Sequence, residues 1–271
     1  MPEEIFARSV RGPNSLKRRI RGAARSAYLS GRGALRRKAG SRRALHCIMG
    51  HYVFDDQREV FASQIAMLRD RGEFVSTENA VAMVTGAVPV DGHYFHLSFD
   101  DGLECLLRNA APILDAAGIP TLVFVNSALA GGATPTERVQ WERATNYATS
   151  LRVMDWTQLA ASGFEVGAHS RTHYRLSDIS GSEVLLRSEI AGCKTEIEAA
   201  LGRTCDYFAW PFGSHRDIDD TAHRAIRSTG YKASFSAVRE SIVPGRTDPY
   251  SIPRHHFEPQ WPLNHLKYFL S

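Results

Sequence analysis

The stretch from Tyr94 to Val125 constrains the fold of this 271-residue chain more than any other. Tyr94–Phe99 is extended and aromatic, Leu103–Ala117 carries apolar residues at helical spacing, and Thr121–Val125 is again a short apolar run. Gly118 and Pro120 stop the helix and introduce the second strand. Strand, helix and strand in so little sequence make a βαβ unit, since parallel strands need a crossover of about a dozen residues or more. The alternation continues on both sides. A strand within 45–53, a helix over 59–71 with Phe61, Ile65 and Leu68 on one face, a brief strand at 74–75 and a helix over 78–84 come first. A helix capped by Asp155 or Thr157, a strand ending at Ala168, and a helix through Leu186, Ile190, Cys193, Ile197 and Leu201 follow. Further strands are predicted at 206–210, 231–236 and 250–252. This pattern predicts an α/β fold whose functional residues gather at the carboxyl ends of the strands. Residues 127–153, with Gly131-Gly132 and Pro135, read as an insertion or long loop that shapes a cleft.

Charge divides the chain in two. Residues 1–45 hold thirteen of the 33 Lys and Arg residues but only two of the 29 acids, so the rest is net acidic. The basicity belongs to a leader, residues 1–43, and nucleic acid is not an expected partner of the body. Leu16, Ile20, Ala23 and Ala27 fall at helical spacing among Lys17, Arg18, Arg19, Arg21 and Arg25, with a second basic piece at Arg36, Arg37, Lys38, Arg42 and Arg43. Residues 14–43 are therefore read as flexible or amphipathic, with an anionic membrane surface as a possible contact. Gly22, Gly31, Gly33 and Gly40 weaken the helical reading. No run matches a transmembrane helix or a signal-peptide apolar core, so a cytoplasmic location is expected, peripheral at the inner membrane face if the leader binds lipid. Cys47, Cys105, Cys193 and Cys205 lack metal-type spacing and are expected as buried thiols.

The chemistry is concentrated in three places. Ser98-Phe99-Asp100-Asp101-Gly102 sets two carboxylates where a strand ends, which is costly unless something positive compensates them. His169-Ser170-Arg171-Thr172-His173 offers two imidazoles four residues apart after another apolar stretch. Two His and one Asp suit zinc or another divalent cation, leaving the second Asp free as a base. Ser170 or Thr172 is expected to brace the site by hydrogen bonds, and Arg171 to brace the loop or face solvent.

With Phe208-Ala209-Trp210-Pro211-Phe212-Gly213 as the third motif in order, residues 45–257 resemble the polysaccharide deacetylase family, also called NodB-homology or carbohydrate esterase family 4. That resemblance implies a distorted (β/α) barrel, seven-stranded here, in one domain spanning 44–271. It implies removal of an N-acetyl group from an amino sugar with one divalent ion, zinc by preference. Asp101, His169 and His173 would hold the ion and Asp100 would be the general base. Trp210, Pro211, Phe212 and Gly213 would line the substrate site, with Trp141 and Trp261 as further stacking candidates. Many members carry Arg where this chain has Ala209, and Arg254 is the expected replacement in space, orienting Asp100. A late histidine would protonate the departing amine. Period-two alternation favours His256 over His255 because it shares a face with Arg254, while His51 could line the cleft from the first strand. The lack of a signal sequence favours an intracellular glycan precursor or surface-polysaccharide pathway. Ala209 keeps two alternatives open, an amidase acting on a non-sugar amide or imide, and a catalytically silent glycan-binding or scaffold protein.

Overall fold

The computed structural model describes residues 4–10, 16–35, 43–145, 147–148 and 151–270. Eight parallel strands form one sheet: β1 (Ala44–Gly50), β2 (Glu73–Phe74), β3 (His93–Phe99), β4 (Thr121–Val125), β5 (Glu165–Ala168), β6 (Tyr207–Ala209), β7 (Ala233–Phe235) and β8 (His255–His256). Seven of them run in the order β7-β6-β5-β4-β3-β1-β8, and β2 pairs beside the first half of β3. The architecture is the curled, seven-stranded parallel half-barrel expected for this α/β fold. Its inner face carries Leu45, Cys47, Leu122, Phe124, Tyr207, Ala209 and Phe235. The outer face carries Ile48, Leu97, Phe99, Val123, Val125, Val166 and Phe208, which bury against the surrounding helices. This strict alternation is what a strand period of two produces when both faces are covered.

Three elements depart from the sequence expectation. The helix after β3 is split into Cys105–Asn109 and Ala111–Ala116, because Pro112 has no N–H to continue the first segment. The helix over 183–201 contains a π turn at Ser188–Gly192, which turns Glu189 inward. The strand predicted at 250–252 reduces to one bridge, Ile252 to Phe235, and the last true strand is His255–His256. Ile252 therefore sits beside β7 while His255 and His256 pair with Ile48 and Met49 of β1. Residues 252–257 span the gap between the two ends of the sheet. The expected insertion, 127–153, contains two helices, Ser127–Ala130 and Pro135–Thr145.

Parts of the basic leader touch the body. Glu4 and Asp55 exchange hydrogen bonds, Arg108 pairs with both, and Val10 bridges to Tyr147. The helix Leu16–Leu35 lies against Leu263–Phe269, where His265 Nε2 meets the Ser26 carbonyl at 3.0 Å and Leu29 is buried. Arg36, Arg37, Lys38 and Arg42 lie outside the described residues. Among the described residues, no helix is long and apolar enough to cross a membrane. All four cysteines are free and buried.

Candidate active site

Strand phase delivers the first carboxylate. His96 and Ser98 point into the barrel, and Asp100 continues that phase one step beyond β3, its N–H donating to the Gly50 carbonyl at 3.0 Å. There it meets Arg254, carried across the sheet gap by residues 252–257. Arg254 is fully buried and grips Asp100 at both oxygens, Nη1 to Oδ1 at 2.8 Å and Nη2 to Oδ2 at 2.9 Å. Its Nε donates to the Ser236 carbonyl at 2.7 Å and Nη1 also reaches Ser98 Oγ at 3.1 Å. The guanidinium thus supplies the cation beside Asp100. Burial alone would raise the Asp100 pKa, but Arg254, then His169, outweigh it and bring it down to about 2. Asp100 is a carboxylate at any working pH.

Asp101 breaks the phase. It adopts φ 69°, followed by Gly102 at φ 63°, so the chain turns sharply off the strand. A Cβ on Gly102 would lie 2.9 Å from Val125, which together with the positive φ requires glycine there. The turn aims Asp101 at the two imidazoles. Its Oδ1 lies 3.7 Å from His169 Nε2 and 3.5 Å from His173 Nε2, is buried, and has no hydrogen-bond partner. Its Oδ2 accepts from the Tyr147 hydroxyl at 2.8 Å.

His169 extends the inward phase of β5. Its backbone N–H donates to Val125 O, and its Nδ1 donates to the Ala209 carbonyl at 2.8 Å, which leaves Nε2 as the lone-pair nitrogen facing Asp101. The loop to His173 is held by Ser170 Oγ on the His173 N–H, by Glu189 from the π turn on Thr172, and by Asn126 on the His169 carbonyl. Arg171 is tied to Glu137 and Glu196, a loop brace. Burial lowers both His169 and His173 to about 4, so both imidazoles are neutral and able to ligate. An orphaned buried carboxylate oxygen facing two neutral imidazole nitrogens fits a divalent cation.

These groups line a cavity of about 400 Å³, which also includes His51, Tyr147, Trp210, Phe212, Arg239 and His256. Trp210 is fully buried with Nε1 on the Ser214 carbonyl, so it is wall rather than exposed platform. Phe212 is 40% exposed, edge-on to His173. Gly213 has φ 74°, and a Cβ there would come within 2.4 Å of Ala237. Pro211 is not among the cavity-lining residues, and neither Trp141 nor Trp261 is; Trp141 is fully buried against Tyr147.

The late histidines separate. His256 faces the cavity; His255 turns to the outer face, edge-on to His46 at 5.5 Å, because adjacent strand residues point to opposite sides. Glu258 joins His256 to His51: its Oε1 lies 2.5 Å from His256 Nε2 and 3.0 Å from His51 Nδ1. Burial would lower the His51 pKa, but the hydrogen bond and charge of Glu258 raise it to about 9. Sequence reasoning missed Glu258 and Tyr147. The alternation that selected His256 also places residue 258 on the same face and could have found Glu258. Nothing local marks Tyr147, which arrives from the 127–153 segment.

A curled parallel half-barrel with an Asp-His-His cluster at the carboxyl edge of its strands is the carbohydrate esterase family 4 fold. The polysaccharide deacetylase family model matches residues 87–234, and the chain belongs to that family. Among solved structures it is similar to IcaB from Ammonifex degensii, with 25% identity, a TM-score of 0.67 and coverage of 83% of this chain and 97% of that one. It also resembles the Streptococcus pyogenes deacetylase PplD, solved in complex with acetate, at 18% identity and TM-score 0.65, covering 84% and 97% of the two chains. The BpsB deacetylase domain from Bordetella bronchiseptica matches at 16% identity and TM-score 0.65, covering 80% and 97%. No curated protein sequence matches the chain. Family and cation cluster together support metal-assisted hydrolysis of a C–N bond.

Proposed function

We propose that the protein removes an N-acetyl group from an amino sugar, with Asp101, His169 and His173 holding one divalent cation, zinc by donor type. The observation that carries this reading is that Asp100, clamped from behind by the buried Arg254, lines one cavity with that cluster. The bound cation would polarise the amide carbonyl and acidify a water. Asp100, ionised and unable to rotate within the two-point grip of Arg254, accepts the proton of the attacking water. Tyr147 and the Ala209 carbonyl fix Asp101 and His169 so that their ligating atoms converge. Trp210 and Phe212 give the acetyl methyl an apolar wall.

The departing amine needs a proton, and His51 is better suited than His256 to give it. Glu258 takes His51 at Nδ1, leaving the outer ring nitrogen, Nε2, for the cavity, whereas it occupies the outer nitrogen of His256. The hydrogen bond and charge of Glu258, with smaller contributions from Asp101 and Asp100, favour the protonated ring of His51. His256 then acts by holding Glu258, and His255 is not a donor in this reading. The substrate is an amino-sugar unit of an intracellular precursor or surface polysaccharide. The exposed Arg25 and Arg32 on the leader helix, residues 16–35, leave a basic surface for an anionic membrane.

The test is a zinc-loaded screen of N-acetylated free, nucleotide-linked, lipid-linked and polymeric sugars, reading acetate and new amine together. Release of both, lost in Asp100→Asn, is expected. Acetate without amine would mean ester hydrolysis, and neither product across the panel would overturn sugar deacetylation. Weaker binding of anionic vesicles by a chain starting at Ala44 than by the full chain is expected if the leader contacts membrane; equal binding would refute that contact.

A further inference from the structure

We infer that His51, His256 and Glu258 form a second divalent-cation site, weaker than the first, which inhibits the enzyme when filled by zinc. The inference rests on the proposed role of His51 as proton donor, since a cation on Nδ1 displaces the Nδ1 proton and leaves an Nε2–H far less acidic than that of the imidazolium. Two imidazole nitrogens approach one carboxylate oxygen from different sides, His51 Nδ1 at 3.0 Å and His256 Nε2 at 2.5 Å. The two rings are almost perpendicular, 86° apart with centroids 5.0 Å from each other. The three ligand atoms all lie within 4.8 Å of one another, one donor per residue, which is the composition of a three-ligand zinc site. Glu258 is 5% exposed, and its second oxygen, Oε2, is buried with no hydrogen-bond partner. A buried carboxylate with an unused oxygen has capacity for a cation that the two imidazoles do not exhaust.

The scaffold is rigid on both sides. Met49 pairs with His256, and the Phe257 N–H donates to the Met49 carbonyl at 2.9 Å, so His51 and Glu258 leave adjacent strands in fixed register. The site opens on the same cavity as the Asp101 cluster, where water or an inhibitory anion could complete the coordination. Two features make it the weaker of the two. Ligand atoms around a tetrahedral zinc with bonds of about 2.0–2.1 Å stand roughly 3.3 Å apart, so the His256–Glu258 contact must open. The histidine side chains are also 26% and 31% exposed, against 4% and 6% for His169 and His173, so solvent competes for the cation. In the cation-free enzyme the ring nitrogens facing Glu258 share their hydrogens with it; the cation displaces those hydrogens to solvent and takes the carboxylate in their place.

The test is zinc binding by equilibrium dialysis on the full chain, starting from enzyme loaded with one tight equivalent. Wild type should take up a second equivalent at least tenfold more weakly than the first, and turnover should fall at least tenfold over the same concentration range. Glu258→Gln and His51→Ala should each stop at one equivalent while unfolding cooperatively, read by binding and not by activity. His169→Ala should lose the tight equivalent and keep the weak one. Saturation of wild type at one equivalent, or a second equivalent that survives in both variants, would overturn the site. Retention of the tight equivalent by His169→Ala would instead refute the Asp101 cluster, leaving the two failures separate.

Discussion

His255 and His256 are neighbours on one two-residue strand, yet they belong to opposite electrostatic worlds. His256 faces inward and shares Glu258 with His51, whose pKa rises to about 9 against the pull of burial. His255 faces outward, in a group with His46 and His93 whose centroids lie 5.0 and 5.5 Å from His46. Burial, then His255 and His93, press His46 down to about 3, and burial, then Arg239, press His255 down to about 4. The outer group is half-buried among other basic side chains; the inner pair is half-buried against an acid. A carboxylate on the same face is not enough by itself: burial holds His169 and His173 near 4 beside Asp100, and the direct hydrogen bond and charge of Glu258 are what lift His51.

The comparison breaks most visibly at the ligands. Asp101→Ala should remove the tightly bound metal and reduce turnover by at least about a thousandfold, as expected when cation and nucleophilic water are lost together. His46→Phe on the outer face should leave metal content unchanged, as metal analysis of the purified proteins would show. Asp100→Asn should keep the metal and lose turnover by about 10²–10⁴. Arg254→Leu should cost about 3–5 kcal/mol of stability, because it strands a buried carboxylate; urea unfolding that matches wild type would refute the clamp.

The donor assignment sharpens it next. His51→Ala should lower turnover by about a hundredfold, His256→Ala by less, and His255→Asn little. If His255→Asn has the largest effect of the three, the inner and outer assignments are reversed. Tyr147→Phe leaves Asp101 Oδ2 without its donor, and should weaken metal binding by about tenfold while wild-type turnover returns at saturating metal.

The smallest expected effect is in stability against pH, and it has opposite signs on the two faces. His46 and His255 titrate lower in the folded than in the unfolded chain, so the unfolded chain binds more protons below about pH 6.5. Their contribution to stability is therefore lost as pH falls from there toward 4. His51 titrates higher in the folded chain, so its pairing with Glu258 stabilises fully below about 6.5 and fades as pH rises through about 9. A His46→Phe, His255→Phe double variant should lose less thermal stability between pH 7 and pH 5 than wild type, and Glu258→Gln less between pH 7 and pH 9. Parallel curves would show that the two faces do not differ in this way.

Much of this was legible in the chain alone. The βαβ unit, the α/β class and the three motifs in order follow from local pattern, since strand phase and apolar spacing are properties of a few neighbouring residues. Alternation also selected His256 over His255 for the inner face, while Arg254 was expected beside Asp100 from the family resemblance and the Ala209 departure. What local pattern misjudged is specific: Pro112 split one helix, a π turn interrupts another, and the strand expected at 250–252 is a single bridge followed by the two-residue strand His255–His256.

By itself the sequence determined which side chains leave each strand on the inner face, because a period of two needs no partner to be read. Asp100 and His169 were named on local grounds, Arg254 and His256 with the help of the family resemblance. Only the tertiary structure decided which of them meet. Residues 252–257 bridge β7 and β1, bringing Arg254 to Asp100 across 154 positions of chain and Glu258 to His51 across 207. Tyr147 reaches Asp101 across 46. Contacts at such separations depend on how the sheet curls and where its edges come together, a property of all the strands at once that no local stretch of sequence encodes.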